Sequence, residues 1–153
     1  MFGPKSHLTI RSNHLFIEDV DSVLLAQQYG TPLYVTSEKR LRENIRAYHS
    51  AFPNADKYFA VKANGNLTIL RIAAQEGMGA DVFSAGELSV VRMVGIPRDK
   101  ILFNGNSKSE NDHAIALQAG VRMSVDSREE LEHLAKTAPG SGIGGRDPLP
   151  RQP

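Results

Sequence analysis

Apolar positions along this chain follow two rhythms in turn. Short apolar runs of strand length give way to segments in which apolar residues recur at helical spacing. The opening, Leu8 to Ile17, alternates loosely and ends in the acidic turn Glu18-Asp19-Val20-Asp21. Asp21 stands where an N-cap is needed for a helix through Val23, Leu24 and Tyr29, which Gly30 and Pro32 stop. Leu33-Tyr34-Val35 reads as a strand. Ser37 then caps a helix in which Leu41, Ile45, Tyr48 and Phe52 recur at helical spacing until Pro53 ends it.

From Lys57 onward the alternation becomes regular. Tyr58 to Lys62 predicts a strand, Leu67 to Gln75 a helix, and Gly77-Met78-Gly79 a turn. Asp81-Val82-Phe83 predicts a strand and Ala85 to Val94 a helix, ended by Gly95 and Pro97. Ile101-Leu102-Phe103 predicts a strand and Ser109 to Ala119 a helix, ended by Gly120. Arg122 to Val125 predicts a strand and Ser127 to Lys136 a helix, capped by Asp126 or Ser127. Glu129 and Glu130 sit in its first turn, where the helix dipole favours acids. A βα alternation with a period of roughly 20 to 25 residues is the signature of a parallel sheet with crossover helices. Barrel and doubly wound sheet share it. No glycine-rich dinucleotide fingerprint follows a strand, since Gly77-Met78-Gly79 precedes one, so a Rossmann reading loses its main support.

Composition narrows the class. With 153 residues, 41% hydrophobic and 23% charged, the chain has the length and make-up of one soluble domain with a real core. A net charge of +1 is too small a field to argue for nucleic acid or an anionic membrane surface as partner. The absence of cysteine excludes disulfides, thiolate metal sites and a cysteine nucleophile, and fits a reducing compartment. Met1 to Phe16 has no signal-peptide core, and no apolar stretch is long enough to span a bilayer, so the cytoplasm is the expected location. His7, His14, His49, His113 and His133 are dispersed without ligand spacing, and no metal site is expected.

The chemistry turns on Lys62, at the end of the run Tyr58-Phe59-Ala60-Val61-Lys62. A lysine at the carboxyl end of a buried parallel strand carries its amine to the place where α/β folds keep their active sites. Partial desolvation there frees an amine's lone pair for imine formation. Taken alone, Lys62 also reads as a strand-end side chain snorkelling to water. Other strand ends carry polar residues: Asn64 after the first, Asp81 opening the second with Ser84, Gly86 and Glu87 beyond it, Asn104 to Lys108 after the third, and Asp126-Ser127 after the fourth. In a barrel these ends ring one face. Taken singly, Asp81 also reads as a turn cap, and Asn104 and Asn106 as ordinary loop residues.

After Thr137 the character changes. Pro139 to Gly145 is rich in glycine, and Arg146 to Pro153 in proline. No strand precedes these glycines and the prolines forbid a following helix, so a phosphate loop is not pre-organised; a disordered tail is expected. The tail reads as though the frame had departed from its parent.

Together, YFAVKAN, GMGADVFSAGEL, KILFNGNSKS and VDSREEL resemble the amino-terminal half of the diaminopimelate decarboxylase family, within the alanine-racemase-like, fold-type III class of pyridoxal-phosphate enzymes. LFIEDVDSVLLAQQYGTPLYVTS is similar to the segment that precedes the barrel there. The likeness runs from about Leu15 to Lys136. It implies an α/β fold that is the first half of a (β/α)8 barrel, residues 37–136, after an N-terminal segment, 1–36, that packs with a β-domain in the family; 137–153 form the tail. It implies that Lys62 is catalytic and binds pyridoxal 5'-phosphate covalently, and that Asp81 lies near that lysine and the cofactor ring. Asn64, Ser84 and Glu87 are carried over as members of the motifs.

The same likeness implies decarboxylation of meso-2,6-diaminopimelate to L-lysine in lysine biosynthesis, with an amino-acid substrate and a homodimer in the full-length family. The family's later histidine, glycine-rich phosphate loop, ring-nitrogen glutamate, substrate arginine and partner-supplied cysteine have no counterparts in this stretch. The chain is therefore expected to be truncated, inactive alone and prone to self-association, with Phe59, Val61, Val82 and Leu102 partly wet. An ornithine- or arginine-type decarboxylase, an alanine racemase or a non-catalytic fragment are the alternatives.

Overall fold

The structure, a computed structural model, describes residues 7–137. The chain divides between Ala55 and Asp56 into two compact units. The glycine- and proline-rich tail lies outside the described residues, apart from Thr137.

The first unit opens with an antiparallel meander: β1 (Leu8–Arg11), β2 (His14–Ile17) and β3 (Val20–Asp21). Ser12 and Asn13 turn β1 into β2 with φ of 49° and 64°, the left-handed pair a two-residue hairpin needs. Asp21 ends the meander and starts α1 (Ser22–Tyr29): Oδ1 accepts from Val23 N at 2.8 Å, and Oδ2 pairs with His14 Nδ1 at 2.6 Å. Ser37 accepts from Arg40 N at 3.0 Å to cap α2 (Glu38–Ala51), and its hydroxyl donates to Glu18. Both caps stand where the sequence puts them. The strand expected at Leu33-Tyr34-Val35 does not form: the segment joins no sheet and Tyr34 is 98% exposed. Local propensity favours a strand there, but a strand also needs a neighbour to bond.

The second unit holds a parallel sheet in the order β4 (Tyr58–Ala60), β5 (Gly79–Val82), β6 (Ile101–Phe103), β7 (Arg122–Met123). The connections are α3 (Leu67–Gln75), α4 (Ala85–Met93) and α5 (Glu110–Ala119), and α6 (Arg128–Thr137) follows β7. The βα reading therefore holds. Register explains which residues are buried. Ala80 lies beside Ile101, and Val82 beside Phe103; all four are fully buried, packed with Leu70, Leu88, Val91 and Ala116 of the helices. Ala60, Asp81, Leu102 and Arg122 form the intervening row across the sheet, on the other face, and none of them is fully buried.

Three boundaries move. β4 stops at Ala60, and Lys62 falls on a 3-10 turn, Val61–Ala63, closed by the Asn64 N–H to the Val61 carbonyl at 3.1 Å. β5 begins at Gly79, so Asp81 is inside the strand rather than at its opening. Gly79 joins the sheet because it has no side chain: a Cβ there would lie 2.5 Å from the Lys100 carbonyl and 2.7 Å from Tyr58 Cδ1. β7 is only Arg122–Met123, shorter than the expected run to Val125. The expectation that four apolar residues would be partly wet holds for Phe59 and Leu102 alone, since Val61 is 2% and Val82 0% exposed. Val82 points into the helix layer, which is complete around β5; Leu102 points away from it, and Phe59 is on an edge strand.

Candidate functional site

The carboxyl ends of the four parallel strands bring one set of polar side chains together. Lys62 is held on its turn, and its Nζ lies 3.9 Å from the centroid of the Phe83 ring, which follows β5. An ammonium over an aromatic face is drawn by the ring quadrupole. Phe83 is itself fixed at the backbone. Its N–H donates to Glu87 Oε2 at 2.8 Å, while Ser84 caps α4 by accepting from Glu87 N at 3.2 Å. The expected Ser84 and Glu87 thus form a cap that orients the residue beneath Lys62. Asn64 serves its own turn, accepting from Asn66 N at 3.0 Å, and Asn66 caps α3.

Asp81 is in register with Ala60, two residues before Lys62, and feels the lysine's charge. Burial raises its pKa above the usual carboxylate value; hydrogen bonding from the Asn104 side chain and the Lys62 charge oppose the rise, and the Glu87 charge adds to it. Its Oδ1 is buried without a hydrogen-bond partner. Asn104 is oriented by Ser124, whose hydroxyl donates to Asn104 Oδ1 at 2.8 Å, leaving the amide N–H groups to face elsewhere. A primary amine near a half-buried carboxylate with one buried, unmet oxygen is a set suited to a small carbonyl-bearing group: the amine bonds the carbonyl carbon and the carboxylate holds a polar atom.

A second cluster gathers residues that follow β6 and β7. Lys108 is 1% exposed at its side chain; Nζ pairs with Glu130 Oε1 at 2.9 Å, stands 3.8 Å from Asp126 Oδ2, and donates to the Gly105 carbonyl. His113 Nε2 lies 2.8 Å from the same Glu130 oxygen, and its Nδ1 is buried with no partner. Burial works against the Glu130 carboxylate, but the Asp126 N–H, the Lys108 ammonium and the His113 ring outweigh it and hold its pKa at about 2. Of the two expected caps for α6, Ser127 is the one, accepting from Glu130 N at 3.0 Å.

Sequence reasoning singled out Lys62 and Asp81 and missed Phe83, Ser124 and the buried state of Lys108. Lys108 stands in a polar loop, Asn104 to Ser109, where nothing local distinguishes a buried lysine from an exposed one. His113 and His133, dispersed in sequence, face each other with ring centroids 5.4 Å apart.

Residues 38–146 match the family described as pyridoxal-dependent decarboxylase, pyridoxal binding domain. Over 124 residues the chain is 47% identical to a diaminopimelate decarboxylase of Archaeoglobus fulgidus, covering 81% of this chain and 30% of that one. It is similar to the crystal structure of diaminopimelate decarboxylase from Methanocaldococcus jannaschii in co-complex with L-lysine, with a TM-score of 0.82 and 37% identity over 90% of this chain and 34% of that one. A lysine/ornithine decarboxylase of Vibrio vulnificus complexed with putrescine matches with a TM-score of 0.71 and 28% identity over 75% of this chain and 32% of that one. The chain spans about a third of the length of these relatives. It belongs to the pyridoxal-binding domain family of the pyridoxal-dependent decarboxylases.

Proposed function

We propose that this chain carries the cofactor lysine and one wall of the active site of a diaminopimelate decarboxylase, which converts meso-2,6-diaminopimelate to L-lysine and carbon dioxide. The observation that carries the reading is that Lys62, poised over Phe83, stands near enough to Asp81 for its charge to act on that carboxylate, whose Oδ1 is buried and unpartnered. These residues fit pyridoxal 5'-phosphate: Lys62 Nζ is the amine to bond its aldehyde, and Asp81 the acceptor to hold a polar atom of it. When bound, the cofactor supplies an electron sink for the charge left by carboxyl loss. The rest falls to the protein's own groups. Phe83 holds the lysine's amine at the strand end. Asp81 offers Oδ1, and Asn104, steadied by Ser124, turns its amide toward that carboxylate. Lys62 Nζ, with its lone pair free, would be a base able to hold or return a proton at the strand end.

Further parts of this reading concern the whole protein. The four-stranded sheet is the first part of a (β/α)8 barrel, whose remaining strands pair with the edges of β4 and β7; residues 37–136 supply it. The protein acts in the cytoplasm as a homodimer on an amino-acid substrate. Among the described residues, no helix is long and apolar enough to cross a membrane. An ornithine- or arginine-type activity has less support: the Vibrio vulnificus structure is 28% identical, the diaminopimelate relative 47%.

Incubation with pyridoxal phosphate, borohydride reduction and peptide mapping test the site: label concentrated on Lys62 is the expected result, and label spread over surface lysines with none at Lys62 refutes it. Carbon dioxide release from meso-diaminopimelate, against L-ornithine and L-arginine, by the protein that carries this chain tests the substrate.

A further inference from the structure

We propose that Lys108 is a positioning residue for the lysine site: its buried ammonium, anchored on Glu130, pins the Gly105 carbonyl and so holds the β6–α5 loop against Phe83, the residue beneath Lys62. The inference rests on the functional reading above only for what Lys62 binds. The mechanical link is independent of it.

Each step of the link is a contact. Glu130 is fixed at the start of α6 by Ser127, which accepts from its N–H, and its Oε2 accepts from Asp126 N at 2.8 Å. Its Oε1 takes Lys108 Nζ at 2.9 Å and His113 Nε2 at 2.8 Å, so one carboxylate gathers a loop lysine and a helix histidine. Lys108 in turn reaches back to the Gly105 carbonyl. Gly105 is buried and lies so close to Phe83 that a Cβ on it would stand 3.0 Å from the Phe83 carbonyl oxygen and 3.4 Å from Lys108 Cγ. Asn104 N donates to the Val82 carbonyl at 2.7 Å, clamping the loop's first residue to the end of β5. The Phe83 ring, at the far end, sits 3.9 Å from Lys62 Nζ.

A buried ion pair is a poor way to add stability, because desolvation of both charges offsets most of their attraction. A buried lysine is therefore better explained by what its direction fixes. An ammonium donates along several directions at once. Here one reaches Glu130 on α6 and another the Gly105 carbonyl in the loop, ties that an apolar side chain of the same volume cannot make.

Two variants separate this positioning from mere stability. Lys108→Met removes the tether and leaves Glu130 to His113 and the Asp126 N–H. Lys108→Met with Glu130→Leu removes the tether and both charges of the pair, which protects the fold from an uncompensated buried charge. The readouts are pyridoxal phosphate affinity followed by absorbance, borohydride label mapped to Lys62, and hydrogen exchange at the Phe83 and Asn104 amides. Both variants are expected to bind about tenfold more weakly at Lys62, the scale of one lost charge-assisted hydrogen bond. Exchange at Phe83 and Asn104 is expected to quicken while the buried amides of β5 and β6 stay protected. Unchanged affinity in Lys108→Met, or recovery of affinity in the double variant, overturns the proposal, since the charge and not the tether would then have mattered. If the parent protein takes no label at Lys62, the functional reading fails. Exchange at Phe83 and Asn104 then decides the link alone: quickening supports it, and no change overturns it.

Discussion

Lys62 Nζ lies 3.9 Å from the centroid of the Phe83 ring, although the two residues belong to turns after neighbouring strands. The parallel pairing of β4 with β5, Ala60 beside Asp81, makes the contact, because it brings both strand ends to the same height. The ring presents a face to the cation and leaves the amine at the sheet's carboxyl edge.

Replacing Phe83 by leucine keeps an apolar side chain, although a smaller one, and removes the quadrupole. A cation–π contact of this kind is worth about 0.5–1 kcal/mol at a partly exposed site. The fraction of borohydride-fixed pyridoxal at Lys62, relative to surface lysines, is therefore expected to fall about two- to fivefold, with peptide mapping as the measurement.

Lys62→Ala and Lys62→Arg are both expected to abolish the specific label. A guanidinium keeps the charge and the ring contact but does not condense with the aldehyde. Arginine at this position thus separates electrostatic complementarity from covalent attachment. Specific label persisting in either variant would place the cofactor lysine elsewhere.

Asp81→Asn is expected to leave the folded chain no less stable near neutral pH while weakening pyridoxal phosphate binding. Burial raises the Asp81 pKa, so its ionised form costs stability above that raised value and the cost is relieved as pH falls through it. An amide removes the cost and also the negative charge, keeping one carbonyl oxygen as a weaker acceptor and putting a donor in place of the other oxygen. Thermal melts and absorbance titrations on the same samples check the two halves; a clear loss of stability would mean that the carboxylate is structural.

Glu130 gives the acid limb of stability. Its pKa falls from 4.5 to about 2 on folding, so its contribution is fully present above 4.5 and is lost as pH drops toward 2. Glu130→Gln is expected to lower the melting temperature at neutral pH and to flatten its dependence on pH across that window. A variant whose acid profile parallels the parent's would show that the carboxylate's partners do not act on it as the distances suggest.

Alanine at three glycines ranks the backbone contacts. Gly79→Ala meets the Lys100 carbonyl at 2.5 Å and is expected to cost about 3 kcal/mol, because backbone must move. Gly105→Ala meets the Phe83 carbonyl at 3.0 Å and is expected to cost less in stability, about 1 kcal/mol, but to disturb the Lys62 label. Gly86→Ala meets nothing nearer than 3.8 Å on the first turn of α4 and is expected to be neutral or stabilising. Denaturant midpoints order the three.

The sequence by itself determined the features whose causes are local. Caps at Asp21, Ser37, Ser84, Ser109 and Ser127 follow from hydroxyls and carboxylates bonding backbone amides two or three residues on, and each was readable, or its helix start was, from residues in one turn. The βα alternation was readable for the same reason, since period is a property of neighbouring residues. Lys62 stood out because a short apolar run ended in an amine.

Tertiary structure decided what depends on distant partners. Leu33-Tyr34-Val35 has strand propensity and no strand, because no neighbour bonds it. Gly79 entered β5 because the Tyr58 ring and the Lys100 carbonyl occupy the space a side chain would need. Lys108 is buried because Glu130, on the next helix, reaches it; its own neighbours in sequence give no sign of this. Phe83 came to lie beneath Lys62 through sheet register, which pairs residues about twenty apart and leaves no trace in either segment read alone.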